Sequence, residues 1–162
     1  MAPGAQARSR LGYRGAAMAI PSPEQINAAM VGFDALYGLE LLDVSDTDVH
    51  AQVAVREELK QGMGLVHGGV YASMAEAMAS LATALAVHEN GDTAMGLSNS
   101  TSFLRPVTEG VVRGHATRIH RGRTTWVWDV RFTDAQDRAC AVTRMTIAVR
   151  PLPAGVSTPL GA

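Results

Sequence analysis

Glu76 is the single charged residue in an otherwise small and apolar stretch, residues 71–87, that is typical of a buried helix. In a helix of about 3.6 residues per turn, Ser73, Ser80 and Thr83 share a face with this carboxylate, within roughly 80°. Burying an unpartnered carboxylate is costly, so this polar seam must face solvent, a partner or a cavity. Because a solvent-exposed helix face usually carries several charges, we interpret the seam as the wall of a cavity rather than as the solvent-exposed face of an amphipathic helix.

Two glycines, Gly68 and Gly69, stand at the start of this helix in the motif HGG. The first N–H groups of a helix lack intrahelical acceptors, and without side chains nothing blocks a ligand from reaching them. The motif is therefore typical of an anion or oxyanion site, with a simple tight turn as the alternative. Glu76 would add a carboxylate that can attack a carbonyl carbon or activate water.

The spacing of these groups limits how they can cooperate. Gly68 and Glu76 are eight residues apart, which is about 12 Å along a helix axis. One carbonyl group cannot lie about 3 Å from both. If both act on one substrate, they come from different chains, and two helices related by a two-fold axis predict a dimer with two sites at its interface.

The rest of the sequence supplies the elements that position this helix. Residues 22–33 predict a short helix with Ser22 as N-cap and Gln25 completing a capping box. Strands are expected in YGLELLDV and DVHAQVAVREEL, then the long helix at about residues 69–87, then strands at about 94–104, 110–120, 124–133 and 138–150. Consecutive strands joined by short turns predict an α+β fold, an antiparallel sheet wrapped around a long central helix.

The composition favours one globular domain that binds neither nucleic acid nor a membrane. The chain has 162 residues, 47% of them hydrophobic, and a net charge of −1. Its single cysteine, Cys140, excludes an intramolecular disulfide or a cysteine-based zinc site and fits a reducing, cytoplasmic compartment. The scattered histidines suggest no metal site. We expect residues 1–21 to be a disordered leader, with a transit peptide or a start at Met18 as alternatives, 22–151 to form the domain, and 152–162 to be a flexible tail.

Four motifs together resemble a known family: HGGVYASMAE, SNSTSFLRPV, RIHRGRTTWVWDV and CAVTRMTIAVRP. Over about residues 40–151 the chain resembles the hotdog-fold acyl-CoA thioesterases. In particular, the motifs resemble the 4-hydroxybenzoyl-CoA thioesterase class, whose catalytic acid is a glutamate on the central helix. The resemblance implies a hotdog fold and thioester hydrolysis without a metal or a separate cofactor, because coenzyme A is part of the substrate.

The resemblance also implies roles for residues around the helix start. Glu76 would be the nucleophile or general base, and the backbone N–H of Gly68 would polarise the thioester carbonyl. Gln61 would orient the substrate or water, and His67 would shape the helix start rather than act as an acid or base. Two serines of the polar seam would bind the acyl part of the substrate, Ser73 and Ser80, the second of which stands where the family has a threonine near the aromatic end.

Four further residues would bind coenzyme A. Arg105, in FLRP, would hold its phosphates, and Thr124 would contact the nucleotide. Arg123 stands where a small hydroxyl residue is usual, and its charge would strengthen phosphate binding. Arg150 belongs to the AVRP motif, after which this chain lacks the family's basic run. A plain surface role is the alternative for Arg105 and Arg150.

We therefore predict an enzyme that hydrolyses an aromatic acyl-CoA, such as 4-hydroxybenzoyl-CoA, to the free acid and CoA. It would be at least a homodimer, and the resemblance implies a homotetramer. Three alternatives stay open: a thioesterase for phenylacetyl-CoA or a broad range of acyl groups, a non-catalytic acyl-CoA-binding regulatory module, and a hydratase of related fold. The hydratase would need an Asp/His pair, and none stands near HGG.

Overall fold

The computed structural model describes residues 20–153. Helices α1 (Pro23–Ala29) and α2 (Gly32–Tyr37) precede strands β1 (Glu40–Val44) and β2 (Asp48–Ala54). A 3₁₀ turn (Glu57–Leu59) and a loop lead into the long helix α3 (Gly68–Val87), which continues into a second 3₁₀ turn (His88–Asn90). Strands β3 (Asp92–Phe103), β4 (Val111–Arg121), β5 (Thr125–Thr133) and β6 (Ala139–Pro151) follow. The expected leader and tail lie outside the described residues, apart from 20–21 and 152–153.

The six strands form one antiparallel sheet in the order β1-β2-β4-β5-β6-β3. Strand β3 pairs with β6 over its whole length and is the last strand of the sheet on that side, within the part of the chain that the structure describes. Most of its residues are exposed. The architecture is the predicted one, an antiparallel sheet wrapped around α3.

The core lies between α3 and the concave face of the sheet. Met74, Met78 and Ala79 of α3 are fully buried. The alternation predicted for β5 is confirmed, because four apolar side chains of that strand face the helix, Trp126, Trp128, Val130 and Phe132. The two tryptophans therefore belong to the core, and burial of such large side chains contributes strongly to stability.

Gly114 of β4 shows how closely the helix approaches the sheet. A Cβ atom at this position would lie 2.9 Å from Sδ of Met78 and 3.0 Å from a ring carbon of Phe132. The first separation is below the range of real Cβ contacts and the second is at its lower limit, so a larger residue would require the Met78 side chain or the Phe132 ring to move.

The N-terminal segment differs from the single helix expected over residues 22–33. The capping box of Ser22 and Gln25 is present, but α1 ends at Ala29 and a separate helix begins at Gly32, whose φ is +67°. The Asn27 side chain links α1 to the sheet, because it accepts from the backbone N–H of Leu41 and donates to its C=O, at 2.9 and 2.8 Å. These two bonds fix α1 beside β1.

The polar seam on α3 is shorter than expected, because Thr83 does not belong to it. Thr83 is fully buried. Its hydroxyl donates to the C=O of Ala79 at 2.7 Å and accepts from Nε1 of Trp128 at 3.0 Å. The Thr83 hydroxyl therefore provides the hydrogen-bond acceptor that the buried indole N–H of Trp128 requires. The seam that remains open consists of Ser73, Glu76 and Ser80.

Within the described residues, the segment 68–90 is long and apolar enough to cross a membrane. It is the core helix of this fold, with the sheet packed against it. The apolar character of the segment is therefore accounted for by burial inside the protein.

We predict that Thr83→Val lowers the free energy of unfolding by about 1–3 kcal/mol, because it leaves the buried indole N–H of Trp128 without an acceptor. Urea denaturation followed by tryptophan fluorescence measures this effect. Thr108→Val, at an exposed position whose side chain makes no hydrogen bond to residues 20–153, is the matched control and should change stability little. Equal stability of the two variants would contradict the assigned role of Thr83.

Candidate active site

At the start of α3, the first backbone N–H group has no acceptor among the residues that the structure describes. The neighbouring Gly69 N–H donates to Nδ1 of His67 at 2.9 Å, and the Val70 N–H donates to the His67 C=O at 2.9 Å. The Gly68 N–H makes no hydrogen bond within residues 20–153. It therefore remains a free donor at the positive end of the helix dipole, where an anion or a developing negative charge is stabilised.

His67 is the N-cap of α3. Because its Nδ1 accepts a hydrogen bond, the hydrogen-bond pattern assigns the ring proton to Nε2. The cap uses the Gly69 N–H and leaves the Gly68 N–H alone, so the side chain selects which amide stays available. A Cβ atom on Gly69 would lie 2.9 Å from this ring nitrogen, so the cap also explains why a glycine follows Gly68.

Gln61 lies in the tight turn before the helix. Its backbone N–H donates to the Leu65 C=O, and its own C=O accepts from Gly64, whose φ is +76°. Its side-chain Oε1 accepts from the Met63 N–H at 2.6 Å. Because the oxygen is occupied in this way, the amide NH₂ is the part that can reach a ligand, and it is a donor.

Gln61, Gly68 and Arg105 line one cavity of about 430 Å³, together with Tyr71 and Phe103. The Arg105 backbone N–H donates to the Cys140 C=O, but its exposed guanidinium has no side-chain partner among residues 20–153. The cavity thus combines a free amide N–H, a side-chain amide donor and an unpaired cation. All three favour a ligand with carbonyl, carboxylate or phosphate oxygens.

Tyr71 and Phe103 complete this cavity and were not predicted from the sequence. Tyr71 is buried, which raises the pKa of its phenol, and its ring lies 6.0 Å from that of Phe103 between centroids. Phe103 is exposed even though it is large and apolar. An aromatic residue two positions before the predicted Arg105 was the one available signal, and it does not reveal contact with the helix.

Glu76 is exposed on the open side of α3, beside the edge strand. A Cβ atom on Gly96 of β3 would lie 3.1 Å from Oε1 of Glu76, so the glycine leaves room for the carboxylate. The carboxylate makes no hydrogen bond or ion pair with any residue in 20–153. Its charge acts on the Tyr37 phenol, whose pKa is raised mainly by burial, then by Asp34, and to a smaller degree by Glu76.

The two serines of the seam open into two grooves that differ from the Gly68 cavity. Ser73 lies with His67 in a groove of about 770 Å³ beside α2. Ser80 lies in a groove of about 680 Å³ whose walls are mostly apolar residues of α1, α3 and the loop after α1. Neither groove includes Gly68, and the Gly68 cavity includes neither serine.

The three other residues expected to bind CoA meet at the turn between β4 and β5. The Thr124 C=O accepts from the Arg150 guanidinium at 3.0 Å and from the Val149 N–H. Arg123 is exposed and has no partner among the described residues. The turn is further held by Trp126, whose Nε1 donates to the Gly122 C=O. None of the three residues lines the cavity that holds Arg105.

A cation cluster near this turn was also missed from the sequence. Arg118 and Arg121 both pair with Asp46, and each guanidinium carbon lies 4.8 Å from the centre of the Trp126 ring. Cation–π contacts of this kind stabilise a partly exposed hairpin. In residues 20–153 no group of three or more His, Cys, Asp or Glu side chains could hold a metal ion.

Comparison with known proteins identifies the family. The family model of the thioesterase superfamily matches residues 63–141. The putative esterase Rv1847 of Mycobacterium tuberculosis is 40% identical over 122 residues, which cover 74% of this chain and 86% of that protein. A 1,4-dihydroxy-2-naphthoyl-CoA hydrolase of Listeria monocytogenes is 32% identical over 120 residues, which cover 74% of this chain and 97% of the hydrolase.

Solved structures show the same fold. The thioesterase PA1618 of Pseudomonas aeruginosa, crystallised as a glutamine-to-alanine variant, superposes with a TM-score of 0.79 at 32% identity, over 83% of this chain and 98% of that one. The SAV0944 protein of Staphylococcus aureus gives a TM-score of 0.72 at 26% identity, over 75% of this chain and all of that one.

The chain belongs to the hotdog-fold thioesterase superfamily. It is an enzyme, and the predicted acyl-CoA thioesterase class is confirmed at that level.

We predict that His67→Ala destabilises the protein by about 1 kcal/mol, because it removes the N-cap of the central helix. His67→Asn should restore most of the loss, since asparagine is also a good N-cap. Thermal unfolding measures both variants. If the alanine variant melts at the wild-type temperature, the capping contact does not contribute to stability.

Proposed function

We propose that the protein hydrolyses an aromatic acyl-CoA thioester, of the 4-hydroxybenzoyl-CoA kind, to the free acid and CoA at a site shared by two protomers. The observation that carries this proposal is the unpaired Gly68 N–H at the start of α3, in a cavity with the Gln61 amide and the free Arg105 guanidinium. An amide donor of this kind stabilises the oxyanion that forms when a thioester carbonyl is attacked.

The chemistry requires a nucleophile or base, and Glu76 supplies it. In one route its carboxylate attacks the thioester carbon, the carbon–sulfur bond breaks, and CoA leaves as a thiolate that takes up a proton. Water then hydrolyses the mixed anhydride and regenerates the carboxylate. In the other route Glu76 deprotonates a water molecule that attacks the same carbon. Both routes end in the same products.

A second protomer is needed because Glu76 lies eight residues along α3 from Gly68, about 12 Å by the helical rise. The exposed edge strand β3 supports such an arrangement. It exposes Met95 and Leu97 and offers unpaired backbone groups, which favour pairing with another strand. A two-fold axis beside β3 would bring Glu76 of one protomer toward the Gly68 cavity of the other. A homotetramer of two such dimers is the larger assembly that we propose.

The proposed role of Gln61 is supported by variants of related thioesterases. Solved structures of SAV0944 include one with a glutamine and one with a glutamate replaced by alanine, and the two replaced positions are fifteen residues apart. Gln61 and Glu76 are separated by the same fifteen residues. We propose that the free NH₂ group of Gln61 orients the substrate or the attacking water, while Glu76 reacts.

The aromatic acyl group would occupy the groove at Ser80. Its walls include Ile26, Met30, Ala77 and Leu81, which suit an apolar ring, and Ser80 adds a hydroxyl for a polar substituent. The Listeria relative is named for an aromatic acyl-CoA, which supports the same substrate class. Ser73 would border the neighbouring part of the substrate. A panel of benzoyl-, phenylacetyl- and alkyl-CoA esters distinguishes this proposal from a phenylacetyl-CoA or broad-range thioesterase.

Coenzyme A would be held by arginines. Arg105 would bind phosphate in the Gly68 cavity, and Arg123 and Thr124 would contact the nucleotide at the β4–β5 turn. Arg150 already donates to the Thr124 C=O, so it would hold that turn as well as add charge. The proposed reaction needs no metal and no cofactor besides the CoA of the substrate. We place it in the cytoplasm, where CoA esters are formed.

We predict that Glu76→Ala lowers kcat at least about 100-fold, because it removes the general base or nucleophile. The rate of CoA release from 4-hydroxybenzoyl-CoA, followed with a thiol reagent, measures the loss. Glu109→Ala, which removes an exposed carboxylate without a partner in residues 20–153, is the matched control. A Glu76→Ala enzyme that keeps most of its activity would end the proposal.

Two inactive variants should complement each other when they are mixed. Glu76→Ala and Gln61→Ala protomers form a heterodimer in which one site combines an intact Gln61 and Gly68 with an intact Glu76 from the other chain. With random pairing, half of the dimers are heterodimers, and each heterodimer has one intact site out of two. The mixture should therefore regain about a quarter of the wild-type activity. To test this, the two variants are mixed in denaturant, refolded together and assayed. No gain over the separate variants would assign both residues to one protomer.

A further inference from the structure

The Phe103 ring lies directly on the first residue of the central helix. A Cβ atom on Gly68 would lie 2.6 Å from the ring carbon Cζ and 3.0 and 3.2 Å from the two adjacent ring carbons. Real Cβ atoms do not approach other atoms this closely. The aromatic ring therefore occupies the volume that any side chain at residue 68 would need.

The backbone of Gly68 does not itself require glycine. The glycines with positive φ in residues 20–153 are at positions 32, 38, 64, 91 and 110, and Gly68 is not among them. Gly68 is the first residue of α3, and its backbone conformation is open to residues other than glycine. The steric obstacle to a side chain at this position is the ring of Phe103.

Contacts on the core side of the Phe103 ring, together with the backbone that follows it, hold the ring over Gly68. Tyr71 lies 6.0 Å from Phe103, and Phe132 lies 5.5 Å from Tyr71, between ring centroids, so three aromatic rings lead from the helix start into the core. The chain is fixed immediately after Phe103, because the backbone N–H groups of Leu104 and Arg105 both donate to the Cys140 C=O. These contacts favour the position of the ring over Gly68.

The outer part of the ring remains free. Phe103 is 59% exposed and lines the cavity that contains the Gly68 amide and the Gln61 side chain. An exposed aromatic surface beside a hydrogen-bond donor excludes water from it, and a donor in a drier environment interacts more strongly with a developing charge.

We infer that Phe103 is a positioning residue for hydrolysis. It takes the place of a side chain at residue 68, fixes the Gly68 amide at the reacting carbonyl, and forms the apolar wall against which the thioester lies. This inference rests on the proposed function, since it assumes that the Gly68 amide is the oxyanion donor. It also explains why the motif HGG needs its first glycine.

A double-mutant cycle tests the inference on the full-length enzyme with benzoyl-CoA. Gly68→Ala keeps the backbone N–H but displaces the ring or the helix start, and should lower kcat about 100-fold, the loss typical of a misplacement of about 1 Å. Phe103→Ala should lower kcat about 10-fold with a smaller change in KM, because it uncovers the amide without blocking it. Adding Phe103→Ala to Gly68→Ala should raise kcat to the level of Phe103→Ala alone.

Three further variants and a stability measurement complete the experiment. Phe103→Leu should lie between wild type and Phe103→Ala, and Leu42→Ala, which removes an exposed apolar side chain on the opposite edge strand, should be fully active. Each variant is also melted, so that loss of fold is separated from loss of positioning. Full activity of Gly68→Ala would overturn the inference, and so would a double variant no faster than Gly68→Ala. Glu76→Ala reports on the proposed function separately, since Glu76 lies two turns further along α3.

Discussion

Helix α3 holds Gly68 and Glu76 eight residues apart, and a hydrogen-bonded helix cannot shorten that separation. The proposed sharing of the reaction centre between two protomers depends on this constraint. A free amide at the helix start and a carboxylate in its middle, beside the edge strand, can act on one carbonyl only if a second helix supplies one of them. The exposed edge strand and the open seam on α3 lie on the same side of the molecule, which is the side where the second copy would approach in the proposed dimer.

The packing of α3 makes this separation rigid. Buried methionines and alanines let the sheet approach closely, and the Thr83 hydroxyl satisfies the indole of Trp128 inside the core. The His67 cap then determines which amide at the helix start remains free. The donor is thus placed by core packing and capping together, rather than by a flexible loop, and a donor fixed before the substrate arrives needs no reorganisation during the reaction.

Much of the fold was predictable from the sequence, because alternation and turn residues report directly on local backbone structure. The strands, the central helix and the capping box at Ser22 follow from such patterns. The break between α1 and α2 was missed, although it lies at the extended backbone of Met30 and Val31 and at Gly32 with its positive φ. The docking of α1 on β1 was not predictable either, because Asn27 bonds to the backbone of Leu41, fourteen residues away. Thr83 was misplaced for a similar reason. Helical spacing assigns it to the polar face, but its hydroxyl bonds to a tryptophan 45 residues away in the sequence. The contact of Phe103 with Gly68 joins a strand end to a helix start, and no local pattern encodes it.

Cys140 has a chemical consequence for an enzyme that would release a thiol at every turnover. The single cysteine of the chain is fully buried, and burial raises the pKa of its thiol, so little of it is thiolate. Exchange with disulfides requires an accessible thiolate. Oxidised forms of the released product would therefore find no thiol to modify in the folded protein. Under mildly oxidising conditions, the enzyme would therefore stay active, because oxidised CoA would not form a mixed disulfide with Cys140.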